Sequence, residues 1–255
     1  MSDFMSVSVM SPAQKSVDLV MEHEQPNSRE ILPNEIAGVY SYLISIPSGQ
    51  SADITSGRAR QAVSCVVGGA GTFTSSRDSF HAERRDLFIA QPGEQATFHA
   101  DKDSFVLRIE MDLHPEEIAN PPANLYPFAK SYEACEHYRD YFKSDKTISR
   151  TLVPPFTLPR FSMGSVETCG PDRVEPHAHP VLDQLFFSFS ENDCTLLING
   201  ARFHFGGNCL LHIPLGSDHG IDAKPGDTVQ YLWIDFFQKS DDMQYLVDTH
   251  IPVEK

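Results

Sequence analysis

The sequence predicts an all-β protein: two small β-barrels joined by a partly helical linker. Three observations carry that expectation. Short apolar and β-branched runs recur along the chain, among them "VYSYLISI", "QAVSCVV", "SFVLRIEM", "QLFFSF" and "VQYLWIDFF". Turn residues part them at nearly even spacing, the pattern of a sandwich or barrel rather than of alternating strands and helices. Two stretches also share an order of parts: "GQSADITSGRARQAVSCVVGGAG" through "FVLRIEMDL" parallels "GPDRVEPHAHPVLDQLFFSFSEND" through "YLWIDFF".

Along the chain, residues 1–36 read as a mixed polar arm, with a short helix expected at "PAQKSVDLVMEHE". Residues 37–113 form the first β block, divided by Pro-Ser-Gly, Gly-Gly-Ala-Gly, Ser-Ser-Arg-Asp and Pro-Gly-Glu turns. The texture breaks at 114–150, where prolines make an extended linker and "PFAKSYEACEHYRDYF" has helical spacing of aromatics. His114 and His137 there read as packing residues. The second β block spans 151–240, and 241–255 is a tail. In that second block, Asn199-Gly200 between "CTLLI" and "ARFHF" predicts a hairpin with a type I′ turn.

Composition bounds the function. With 40% hydrophobic and 22% charged residues in 255, the chain reads as a soluble globular protein. No run approaches the ~20 apolar residues that cross a bilayer. The first thirty residues lack the basic start and apolar core of a secretory signal, so a cytoplasmic location is expected. Thirty-five acids against 20 bases, net −15, argue against nucleic acid and anionic membranes as partners. A small-molecule substrate stays open, because a pocket can be locally positive. Five cysteines without a CxxC pair fit a reducing compartment, with Cys194 and Cys209 as core residues. Exposed sheet edges, coverable by an exchanged N-terminal strand, predict a homodimer.

The chemistry concentrates in "VEPHAHPVLDQLFFSFSENDCTLLING", residues 174–200. In a strand, His177 and His179 face one side, and Pro176 and Pro180 suit a short or edge strand. Gln184 follows after a bend, with Phe186 and Ser188 on its face as cavity lining. Downstream, "GGNCLLHIPLGSDHGI" carries a strand, a Pro-x-Gly turn and then His219, a third imidazole able to close the site. On the last strand Tyr231, Trp233 and Asp235 share one face. Turned inward, Trp233 lines the cavity and Tyr231 and Asp235 act as acid, base or anchor; turned outward, all three belong to the contact between barrels. Glu175 shares the histidines' face, where it either supports them by a hydrogen bond or is solvated. His204 and His212 read as ordinary strand histidines.

These residues resemble the cupin family, whose fold is a double-stranded β-helix of jelly-roll type. Its first motif reads roughly G-x5-H-x-H-x3–4-E-x6-G and its second G-x5-P-x-G-x2-H-x3-N. His177, Ala178 and His179 fill H-x-H, Gln184 stands at the carboxylate position, and Pro214, Gly216 and His219 match P-x-G-x2-H. This chain departs from the pattern at Gln184, at Glu191 where a turn glycine is expected, in one extra residue between Gly207 and Pro214, and in lacking an asparagine after His219. The resemblance implies one divalent metal (Fe, Mn, Ni or Zn) on His177, His179, Gln184 and His219, with Asp183 the rival fourth ligand. The first block places Ser56, Arg58, Gln61 and Ala96 or Thr97 at these positions, so no metal is expected there. The resemblance is thus to a two-barrel protein, a bicupin, with one metal-competent C-terminal barrel.

Three neutral imidazoles and a neutral amide leave a divalent ion its full charge, which favours Lewis-acid work. The expectation is therefore an enzyme of isomerase, lyase or hydrolase type acting on a small oxygenated or carboxylated metabolite. Its rivals are a non-haem iron dioxygenase and a non-catalytic small-molecule binding cupin.

Overall fold

The computed structural model describes residues 12–122 and 125–253. Two short strands, β1 (Gln14–Ser16) and β2 (Asn27–Glu30), open the chain. The first half follows as β3 (Val39–Ile46), β4 (Ser51–Asp53), β5 (Arg60–Gly68), β6 (Ala70–Ser75), β7 (Ser79–Glu83), β8 (Leu87–Ile89), β9 (Ala96–Ala100) and β10 (Ser104–Asp112). After α1 (Pro115–Ala119), β11 (Phe128–Lys130) and β12 (Glu136–Arg139) comes the second half. It comprises β13 (Ile148–Leu158), β14 (Phe161–Cys169), β15 (Asp172–His177), β16 (Leu182–Ser188), β17 (Cys194–Ile198), β18 (Ala201–Phe205), β19 (Cys209–Ile213), β20 (His219–Ala223) and β21 (Thr228–Phe237). A short helix, α2 (Gln244–Thr249), and β22 (Ile251–Pro252) end it. Among the described residues no helix is long and apolar enough to cross a membrane.

The strands form four antiparallel sheets, and the halves repeat one order. β8-β5-β10-β3 lie in the first half as β19-β16-β21-β14 lie in the second, and β4-β9-β6-β7 as β15-β20-β17-β18. No ladder joins a small sheet to its larger partner among the described residues. Each half is therefore an open two-sheet sandwich where closed barrels were expected; turns such as Pro214–Asp218 carry the chain between sheets and interrupt the pairing.

Alternation along the central strands builds three cores. On β21, Leu232, Ile234 and Phe236 join Leu107 and Ile109 of β10 in one core shared by the two large sheets. Tyr231 and Trp233, on the opposite face, belong to the interior of the second half, and Val106 to that of the first. Each such fully buried Leu, Ile or Phe contributes roughly 1.5–3 kcal/mol. The hairpin at 199–200 has its expected form: Ile198 pairs with Ala201, and Asn199 and Gly200 both have positive φ, 48° and 80°, as a type I′ turn requires.

Two expected helices are absent. Residues 12–24 hold β1 and extended chain, because Val17, Leu19 and Met21 alternate toward the shared core at the period of a strand. Residues 127–142 hold β11, a 3₁₀ turn and β12. Their aromatics serve separate surroundings: Tyr132 the shared core, Tyr138 the interior of the second half, and Phe142 the ring of His177. All five cysteines are free thiols, and only Cys169 is exposed.

Candidate metal centre

β15 pairs with β20, and its register slips between Val174 and His177, where Pro176 offers no N–H to the ladder. His177 then lies opposite His219. His179 lies beyond the end of β15, so the chain's exit from the sheet, not strand alternation, brings its ring to the other two. The three rings meet at centroid distances of 4.9, 4.9 and 5.1 Å, and one nitrogen from each lies within 4.8 Å of the others.

Backbone carbonyls orient two of the rings. His177 Nδ1 is 2.8 Å from the Glu175 carbonyl and His219 Nδ1 is 3.1 Å from the Ser217 carbonyl. A carbonyl accepts only from N–H, so each contact leaves the Nε2 lone pair free for another partner. His179 Nδ1 is buried without a hydrogen bond. Burial, then the neighbouring imidazoles, lowers His179 to about 2 and His219 to about 3, and burial lowers His177. All three are neutral at neutral pH, the form that binds metal.

Gln184 on β16 stands opposite Asp235 on β21. Its Nε2 donates to Asp235 Oδ1 at 2.6 Å, while its Oε1 is buried with no partner. An orphaned amide oxygen beside three neutral imidazoles is the donor set a divalent ion needs, so these residues fit one. Asp235 is 1% exposed, and burial, opposed by the Gln184 hydrogen bond, pushes its carboxyl up to about 7. Tyr231, Trp233, Asp235 and Phe186 all line the cavity with the histidines. Of the two placements open for the β21 face, the structure has the inward one.

Three candidates lie elsewhere. Asp183 points away from the histidines, its Oδ1 accepting from the Leu215 N–H at 3.0 Å and lying 3.4 Å from His212 Nε2; strand alternation puts it on the face opposite Gln184. The Glu175 carboxylate is exposed and paired with Arg173 at 3.2 Å, because the slip at Pro176 turns it outward; its carbonyl is what touches His177. Ser188 is fully buried and bonds the Gly206 carbonyl and the Cys209 N–H, off the cavity.

The linker and tail supply a wall that sequence reasoning missed. Phe142 stacks on His177 at 4.2 Å, and Tyr138 stacks on His250 at 3.9 Å. Tyr245 meets His179 edge-on at 5.5 Å. Lys143 lies 2.5 Å from Asp140 and donates to Tyr138 Oη at 3.1 Å, placing a buried ion pair in the cavity wall. The only signal for this wall was the density of aromatics in 126–142. The free volume is about 40 Å³, room for roughly three water-sized groups.

The first half differs at the matching place. On β10, Arg108 and Glu110 occupy the inward face and pair at 2.6 Å, and Arg108 also donates to the Thr55 carbonyl at 2.8 Å. Ser56, Gln61 and Ala96 are buried, Arg58 is exposed and Thr97 is half-buried.

The fold is that of the cupins. The chain resembles a cupin 2 conserved barrel domain protein from Leptotrichia buccalis, with TM-score 0.62 and 14% identity over 90% of this chain and 99% of that one. It also resembles an oxalate decarboxylase from Bacillus subtilis, with TM-score 0.70 and 14% identity over 91% and 78%. Protein Ylba from E. coli matches with TM-score 0.67 and 11% identity over 84% and 83%. At these identities the likeness is one of fold. No protein-family model matches the chain, and no curated protein matches it.

Proposed function

We propose that the chain is a metal-dependent bicupin enzyme whose second half holds one divalent ion on His177, His179, His219 and Gln184. The ion, when bound, supplies Lewis acidity toward a small oxygenated or carboxylated metabolite, in a reaction of isomerase, lyase or hydrolase type. The observation that carries this reading is the meeting of three neutral imidazoles in a cavity walled by an unpartnered amide oxygen. The small free volume favours a substrate of a few heavy atoms, and the solved oxalate decarboxylases of this fold fit that class.

Asp235 fixes the amide of Gln184 by taking its N–H, so that the oxygen is left as the free end. A carboxyl held near pH 7 can exchange a proton with substrate at neutral pH. Burial raises Tyr231 well above its ordinary range, keeping its hydroxyl a donor. Phe142, Trp233 and Tyr245 wall the imidazoles with aromatic rings.

The test is elemental analysis of protein purified without added metal, beside His177→Ala. Near-stoichiometric metal in the wild type and a loss of at least tenfold in the variant support the reading; equal content in both refutes it. A screen of keto and hydroxy acids then follows, with and without oxygen. Turnover coupled to oxygen consumption in iron-loaded protein replaces the Lewis-acid reading by a dioxygenase, and metal without turnover replaces it by a binding protein.

A further inference from the structure

A second cavity, of about 400 Å³, opens in the first half, between the β4–β5, β6–β7 and β8–β9 turns and the segment that follows β10. In the repeated strand order these turns correspond to those after β15, β17 and β19, of which the first and last bound the metal centre. Nothing in the proposed chemistry uses this place.

Its charges do not cancel. Glu117 is neutralised by Arg160, whose Nε and Nη2 reach its two oxygens at 2.7 and 2.8 Å. Glu94 has Arg77 at 3.7 Å. Arg58 remains: among the described residues no ion pair or hydrogen bond reaches its guanidinium. Its stem lies across Gly93, where a Cβ would fall 2.5 Å from Arg58 Cγ, and Gly93 has φ +80°, a conformation that favours glycine. The cavity thus carries one surplus positive charge in a protein of net charge −15. The rest of its wall is largely apolar: four prolines, Leu113 and Ile118. Of the polar groups behind, Tyr126 donates to Gln61 Oε1 at 2.5 Å, and Glu94 Oε2 is buried without a hydrogen-bond partner.

From one unpaired guanidinium over a hydrocarbon wall, we propose that this cavity is a second, metal-independent ligand site for a small monocarboxylate with a short apolar chain. A dianion is disfavoured, since Arg77 and Arg160 are already engaged by Glu94 and Glu117 and leave its second charge no free cation. Volumes of this size suit small ligands.

The test is calorimetric titration of the full chain with hexanoate, with hexanol and inorganic phosphate as controls. Saturable one-site binding of hexanoate is expected, at least tenfold tighter than either control. Arg58→Gln, an exposed substitution that leaves the fold intact, is expected to weaken it at least tenfold, and His177→Ala to change it less than twofold. Absence of saturable binding at millimolar hexanoate, an unchanged affinity in Arg58→Gln, or loss of binding in His177→Ala would each overturn the proposal. The last result would place the anion at the metal centre instead.

Discussion

Replacing Asp235 by Asn in the metal-free protein tests how its buried carboxyl is held. The carboxyl is fully enclosed and raised from 3.8 to about 7. Between those values the folded chain keeps its proton while the unfolded chain has lost it. The folded state then binds more protons, so stability falls as pH rises through this window, and the cost is complete above about 7. The interval of 7 − 3.8 = 3.2 pH units, at about 1.36 kcal/mol each, amounts to roughly 4 kcal/mol. Asn has nearly the same shape, carries no charge at any pH, and keeps an oxygen to accept from Gln184 Nε2. The variant should therefore be more stable than wild type at pH 8, by up to about 4 kcal/mol. That advantage should shrink by about 2 kcal/mol at pH 5.5, which lies about 1.5 units inside the window. Urea denaturation in EDTA at the two pH values, followed by the fluorescence of Trp233, measures both numbers. An advantage of equal size at pH 5.5 and pH 8 would refute the reasoning.

Four further outcomes are expected. Added Zn²⁺ or Mn²⁺ at about a hundred times its dissociation constant should stabilise the wild type by about 2.7 kcal/mol but leave His219→Ala unmoved, read as a thermal midpoint. Because burial holds His179 at about 2 and His219 at about 3, their share of stability is complete above 6.5 and lost as pH falls below it; His219→Asn should flatten the acid side of the stability profile. In Gly164→Ala, the new Cβ falls 2.2 Å from Trp233 Cζ2 and 2.3 Å from the Arg150 carbonyl. Overpacking should cost about 1–3 kcal/mol or more in a denaturation curve and weaken metal retention by shifting the cavity wall. Asp183→Asn should leave metal content, by elemental analysis, unchanged.

The meeting of His177, His179, Gln184 and His219 was legible chiefly through H-x-H and P-x-G-x2-H, spacings that the resemblance to cupins ties to one ion. For His179, strand alternation gave a second reason, and that one does not hold. Strand alternation predicts its position only if β15 continues, and the chain between Pro176 and Pro180 leaves the sheet. The same irregularity explains Glu175, whose parity with the histidines ends at the register slip. Lys143, Tyr138 and His250 were illegible because nothing local tells that a segment well upstream of His177, and another far downstream, will close over one pair of strands. The aromatics of 127–142 satisfy helical spacing by coincidence, since their partners lie in different cores.

β1 pairs with β19, joining Gln14 to Leu211, while β2, a few residues on, pairs with β3 in the other half. On a ribosome, the first of these segments emerges long before its partner exists, and it has no edge to join until Cys209–Ile213 has been made. The second half can complete its largest sheet only once β22 (Ile251–Pro252) has been made. Trimming residues 12–17 to obtain a tidier expression clone would thus strip the cover from β19, two strands from Asp235 and adjacent to Gln184, leaving a raw edge open to a neighbouring molecule.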